Sequence, residues 1–135
     1  MTAVAATHTE PFLLDADHTL PAQRLAQLHK ALADTLRLQI LRLLRNESFG
    51  VLELCRLVDI RQSALSHHLK VLAKAELVAT RREGNSIFYR RAFITDDDAL
   101  ADLKRAAFDA VDTLEIPSEQ AMQLEQLQQE RSELS

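Results

Sequence analysis

Between positions 62 and 70 one side of a helical repeat carries an amide, two hydroxyls, an imidazole and an ammonium: Gln62, Ser63, Ser66, His67 and Lys70. The other side carries Leu65, Leu69 and Leu72, four and three residues apart, which is the spacing of one apolar helical stripe. The polar set matches no nucleophile motif. It is a set of hydrogen-bonding groups: Gln62 can pair with an adenine edge, Ser63 and Ser66 can bond bases or phosphates, and His67 can reach a purine or a phosphate. The competing reading is an ordinary solvated helix face. Adjacent helical positions diverge by about 100°, so His67 and His68 cannot share one role; His67 is expected outward and His68 partly packed beneath it.

A second basic group follows. Arg81, Arg82, Arg90 and Arg91 fall on two short β-prone runs, Leu77 to Arg82 and Ile87 to Ala92, separated by the turn sequence Glu83-Gly84-Asn85-Ser86. On a β-hairpin such arginines suit backbone phosphates or a minor groove, and strand alternation prevents all four from facing one way. Phe88 and Tyr89 are expected to pack the hairpin onto helices or shield a dimer seam. The candidate nucleic-acid contacts are therefore Gln62, Ser63, Ser66, His67, Lys70, Arg81, Arg82 and Arg90. The formal charge of −4 opposes nucleic-acid binding until its distribution is considered. Arg56 to Arg91 holds eight basic and three acidic residues, a surplus of five positive charges, which leaves −9 on the remainder. A concentrated basic segment can bind phosphates while the acidic remainder limits indiscriminate association.

Other chemistry finds little support. Cys55 is the only cysteine, so it forms no internal disulfide. It reads as a small apolar scaffold residue, with thiol-based sensing as the alternative. No Gly-rich phosphate loop or nucleophile motif occurs, so an enzyme is not expected, and no cofactor is implied. His8, His18 and His29 can be imagined with Cys55 across a dimer, against a flexible arm with incidental histidines. No secretion signal opens the chain and no apolar run approaches membrane-spanning length, which together with the lone cysteine suits the cytoplasm.

The elements that position these groups follow from periodicity and punctuation. Residues 1–18 lack helical periodicity and read as a flexible N-terminal arm. Helices are expected from Pro21 to about Ala33, with Leu25, Leu28 and Leu32 on one face, and from Thr35 to Arg45, capped by Asp34. A short helix from Val51 to Leu57, with Val51, Leu54 and Leu57 inward, leads through Val58-Asp59-Ile60 into a helix from Arg61 to about Ala75. After the hairpin, Asp96-Asp97-Asp98 precedes a helix from Ala99 to about Glu115 carrying Leu100, Leu103, Ala107, Val111 and Leu114. Beyond Pro117, Ser118 can cap a Gln/Glu-rich segment with sparse apolar residues, expected to be frayed or docked on a partner.

Two short helices joined by a tight turn, then an arginine-bearing hairpin, match a winged helix-turn-helix. At this point the sequence resembles the ArsR/SmtB family of arsenical and metal resistance repressors. The likeness runs through KALADTLRLQILRLL at Lys30 to Leu44, LELC at Leu52 to Cys55, QSALSHHLKVLAKAELV at Gln62 to Val78 and RREGNSIFYRR at Arg81 to Arg91. It implies a dimeric winged-helix repressor whose first and penultimate helices form the dimer interface and which leaves its operator on sensing a signal. Thr35 stands where the family commonly has Pro, and Glu76 where it commonly has Gly. The Cys-x-Cys metal pair of many members is absent, because Arg56 and Leu57 follow Cys55. Asp102, Asp109 and Asp112 occur in the penultimate helix without the histidines that zinc-binding members use there, so no metal site is expected.

The expectation is a mainly α, dimeric winged helix-turn-helix with a small β-hairpin wing: an N-terminal arm over 1–18, a DNA-binding and dimerisation domain over 19–116 and a polar helical tail over 117–135. The function expected is a cytoplasmic, sequence-specific regulator, a repressor of a double-stranded inverted-repeat operator, released by a small-molecule or other signal. The alternative is a winged-helix protein-interaction module or anti-repressor that does not bind DNA.

Overall fold

The computed structural model describes residues 21–134; the expected arm, with His8 and His18, lies outside them. Helix α1 spans Pro21–Leu32, opening on a proline whose missing N–H is not needed in a first turn. It is followed by α2, Thr35–Leu43. The Asp34 carboxylate caps α2, accepting from the amides of Leu36 at 2.9 Å and Arg37 at 3.1 Å. Thr35 thus occupies the first helical position, where proline is equally at home.

A two-residue strand, β1 (Phe49–Gly50), leads into α3 (Val51–Val58). Glu53 reaches back to the Gly50 amide at 2.9 Å and satisfies a donor the helix leaves open. Helix α3 ends at Asp59 in the left-handed region, φ 55°, and three residues later α4 (Gln62–Lys74) begins. That is the helix-turn-helix. Helix α4 closes in a Schellman arrangement, with the Glu76 amide donating to Ala73 and the Leu77 amide to Leu72. Glu76 takes the left-handed position of that motif at φ 59°, which explains why glycine suits the site.

Strands β2 (Val78–Glu83) and β3 (Ser86–Arg91) form the hairpin, and the sheet order is β1-β3-β2, antiparallel throughout. Gly84 is the first of the two loop residues, with φ +62°, as a type II′ turn requires. The buried faces of α1 to α4 meet beneath this sheet around Leu28, Ile40, Leu54, Leu65, Leu69 and Phe49. Tyr89 packs against this core, one of the two placements expected for the hairpin aromatics.

Helix α5 (Ala101–Val111) is shorter than the expected 99–115. The Asp98 carboxylate accepts from the Leu100 amide at 2.8 Å in a turn that precedes the helix. Its buried face is also rotated from the expected stripe, burying Ala101, Lys104 and Val111 and leaving Leu103 exposed. The final segment corrects the expectation of a frayed or partner-docked tail. Helix α6 (Ser118–Leu134) packs on α3 of its own chain, with Leu127 buried and Leu124 packed against the core. Among the described residues no helix is long and apolar enough to cross a membrane.

Candidate nucleic-acid interface

Burial of Leu65, Leu69 and Leu72 turns the opposite side of α4 to solvent, and Gln62, Ser63, Ser66, His67 and Lys70 are all exposed. They form one polar face at the helix's N-terminal end, the part of a recognition helix that meets base edges. His67 points outward as expected, while His68 is half-buried.

The His68 ring is fixed from below. Arg37, a buried residue of α2, donates from Nε to the Ala31 carbonyl at 2.9 Å and from Nη2 to the Lys30 carbonyl at 2.8 Å, satisfying the end of α1. Its Nη1 approaches His68 Nδ1 at 3.0 Å. Arginine only donates, so Nδ1 accepts and the proton of the neutral ring sits on Nε2. Burial, aided by the Arg37 and His67 charges and opposed by Asp34, pulls the His68 pKa below the ordinary histidine value. One guanidinium therefore links α1, α2 and the underside of the recognition helix, a role the sequence reading did not assign to it.

Strand register sorts the wing arginines. Arg81 pairs with Phe88 and Ala79 with Arg90, so Arg81 and Arg90 share one face; Arg82, opposite Ile87, shares the other with Tyr89 and Arg91. Arg81 and Arg82 are exposed near the tip. Arg81 lies over the Phe88 ring at 5.2 Å and pairs with Glu83 at 3.1 Å, while Arg90 lies over Phe93 at 4.5 Å. Arg91 is committed to the fold through Asp112 and the Leu41 carbonyl.

Between wing and helix-turn-helix lies an open cleft of about 410 Å³, with Leu52 and Gln62 on one wall and Asn85, Ser86 and Phe88 on the other.

The remaining candidates fall elsewhere. Cys55 is half-buried on α3, and burial pushes its thiol pKa up, so it is protonated near neutral pH. His29 is exposed on α1, its Nδ1 2.9 Å from the Leu25 carbonyl. Asp112 is engaged with Arg91, and among the described residues no group of three or more His, Cys, Asp or Glu side chains is arranged to hold a metal ion.

A profile described as "Bacterial regulatory protein, arsR family" matches residues 34–80, which is α2 through the start of β2. The chain is 39% identical over 84 residues to an arsenical resistance operon repressor of Staphylococcus aureus, covering 60% of this chain and 78% of that one. It is 35% identical over 71 residues to a transcriptional repressor SmtB homolog of Synechocystis, covering 53% of this chain and 54% of that protein. Among solved structures, the homodimeric winged helix-turn-helix DNA-binding domain Mb0332 from Mycobacterium bovis superposes with a TM-score of 0.56 at 28% identity, covering 82% of this chain and 91% of that one. With the exposed face of α4 and the arginine-bearing hairpin beside it, these likenesses establish that the chain belongs to the arsR family of bacterial regulatory proteins and has its winged helix-turn-helix fold.

Proposed function

We propose that the protein is a homodimeric transcriptional repressor that binds an inverted-repeat operator and leaves it on a signal. The observation that carries this reading is the outward face of α4, where Gln62, Ser63, Ser66, His67 and Lys70 stand exposed beside the wing cleft. In this reading those side chains contact base edges and nearby phosphates, and Arg81, Arg82 and Arg90 anchor the wing on the backbone.

Dimerisation is supported by unpartnered apolar surface. Leu25 on α1, Leu103 on α5 and Leu114 just beyond it are exposed, and Leu32, Leu38, Ala107, Ala110, Val111 and Leu114 line an apolar cleft of about 230 Å³. A two-fold seam over that surface buries it and presents two copies of the reading face, with half-site centres about one helical turn, roughly 34 Å, apart. The Staphylococcus relative is named as an operon repressor and the Mycobacterium bovis domain as a homodimer, and both properties are carried over here as part of the proposal. The effector is unassigned; Cys55 is the candidate for a thiol-directed signal, although its protonated state makes it a slow nucleophile.

An electrophoretic mobility shift with the chain's own promoter region tests the reading. A discrete complex that resists excess scrambled duplex is expected; failure to form one, or equal loss to both competitors, overturns it.

A further inference from the structure

We propose that α6 belongs to the DNA-reading apparatus, and that Arg131 is a positioning residue which fixes the wing relative to the helix-turn-helix. The inference rests on the DNA-binding reading above.

Little strand pairing holds the wing's inner edge. Strand β1 pairs with β3 through only two positions, Phe49 with Tyr89 and Gly50 with Phe88. A two-residue strand has little stability of its own. This pairing joins β3 to the segment that leads directly into α3, and together with the contacts of β3 on α3 and of β2 on α4 it holds the wing beside the reading helix.

Arg131 closes around that segment. Its guanidinium donates to the Ser48 carbonyl at 2.9 Å, to Glu53 Oε1 at 2.8 Å and to Glu47 Oε2 at 3.3 Å, and it lies 4.8 Å from the centre of the Phe49 ring. Three acceptors and one ring, from residues just before, within and just after β1, thus converge on one side chain. Glu53 Oε1 is the same atom that accepts from the Gly50 amide, so Arg131 also orients the cap of α3. Only a planar fork with several donors can satisfy this geometry. Leu127 supplies the buried anchor, and Gln128 bonds Glu47 one turn from Arg131. Arg131 and α6 lie outside the 34–80 stretch matched by the family profile, whereas the residues they engage, Glu47, Ser48, Phe49 and Glu53, lie within it.

The test uses the full chain as wild type, Arg131→Ala, Arg131→Lys and Glu53→Gln, the last keeping an acceptor for the Gly50 amide while removing the charge that Arg131 grips. Affinity is measured by fluorescence anisotropy at two salt concentrations on a duplex selected in vitro with wild type, below each variant's unfolding transition, alongside amide hydrogen exchange. Arg131→Ala is expected to weaken binding about tenfold and lower the salt slope by about one as wing arginines disengage. Exchange should quicken at residues 49–50 and 87–90 while residues 65–72 stay protected. Arg131→Lys and Glu53→Gln should fall between Arg131→Ala and wild type. Unchanged affinity and wing exchange in Arg131→Ala overturns the inference. So does exchange that quickens equally in α4 and the wing, which marks a role in global stability alone. Should wild type select no duplex, the DNA-binding reading fails by itself, and the exchange pattern still decides whether Arg131 positions the wing.

Discussion

Arg91 grips both carboxylate oxygens of Asp112, Nη2 to Oδ1 at 2.6 Å and Nη1 to Oδ2 at 3.1 Å, and so ties the root of the wing to the end of α5. The same guanidinium donates from Nε to the Leu41 carbonyl at 2.9 Å and lies over the Phe108 ring at 4.7 Å. Hydrogen bonding from Arg91, outweighing partial burial and reinforced by the charges of Arg91, Arg45 and Arg42, holds the Asp112 carboxyl below its ordinary pKa.

Asp112→Asn should therefore destabilise the chain by about 1.5–3 kcal/mol, the range for a charge-assisted bond in a part-buried pair. Urea denaturation measures it. A midpoint equal to wild type would show that the pair holds nothing together.

Acid should weaken the join between α1 and α5. Burial would raise the Asp98 carboxyl, but hydrogen bonds from Lys104, the Leu100 amide and Arg24 outweigh it and bring the pKa to about 2 from 3.8. The folded value is the lower one, so this contribution is complete above about pH 4 and lost as pH falls through 2. The shift corresponds to about 2 kcal/mol. Asp98→Asn should reduce stability at pH 7 and flatten its decline between pH 4 and 2, read by denaturation at a series of pH values.

His68 should carry its proton on Nε2, because Arg37 occupies the Nδ1 side at 3.0 Å. Its lowered pKa means the fold favours the neutral ring. Its contribution is thus present above the ordinary histidine value and lost as pH falls below about 6.5. Long-range proton–nitrogen NMR correlations report the tautomer; a proton on Nδ1 would contradict the arrangement.

Reading and anchoring should separate in binding titrations. Gln62→Ala or His67→Ala should cost about 1–3 kcal/mol, mainly on the correct operator, whereas Arg81→Ala or Arg90→Ala should weaken binding to every sequence and flatten its salt dependence. The measurement is titration of operator and scrambled duplex at two salt concentrations. Equal losses on both duplexes for the helix variants, with none for the wing variants, would reverse the assignment.

The helices and hairpin were legible because their signals are local: Asp34 as a cap, Leu65, Leu69 and Leu72 at helical spacing, Gly84 in a two-residue turn. The outward face of α4 follows from the same periodicity. What escaped depends on partners distant in sequence. Strand β1 is two residues long and carries no alternation to detect. Arg37, Arg91 and Arg131 look like surface cations until His68, Asp112 and Glu53 are brought beside them. Helix α6 has so weak an apolar face that only its contact with α3 reveals where it rests. The shift in α5 has a similar origin, since burying Lys104 becomes favourable only once Asp98 faces it at 2.5 Å.

Gly84 stands at the wing tip with nothing within 4 Å of where a side chain would begin. Conformation alone, not packing, constrains the tip, so residues can be inserted or charges added there without disturbing the leucine-rich interior. The protein thereby separates two problems that a smaller domain would have to solve with the same residues. Its interior can stay fixed while the length and charge of the wing tip change.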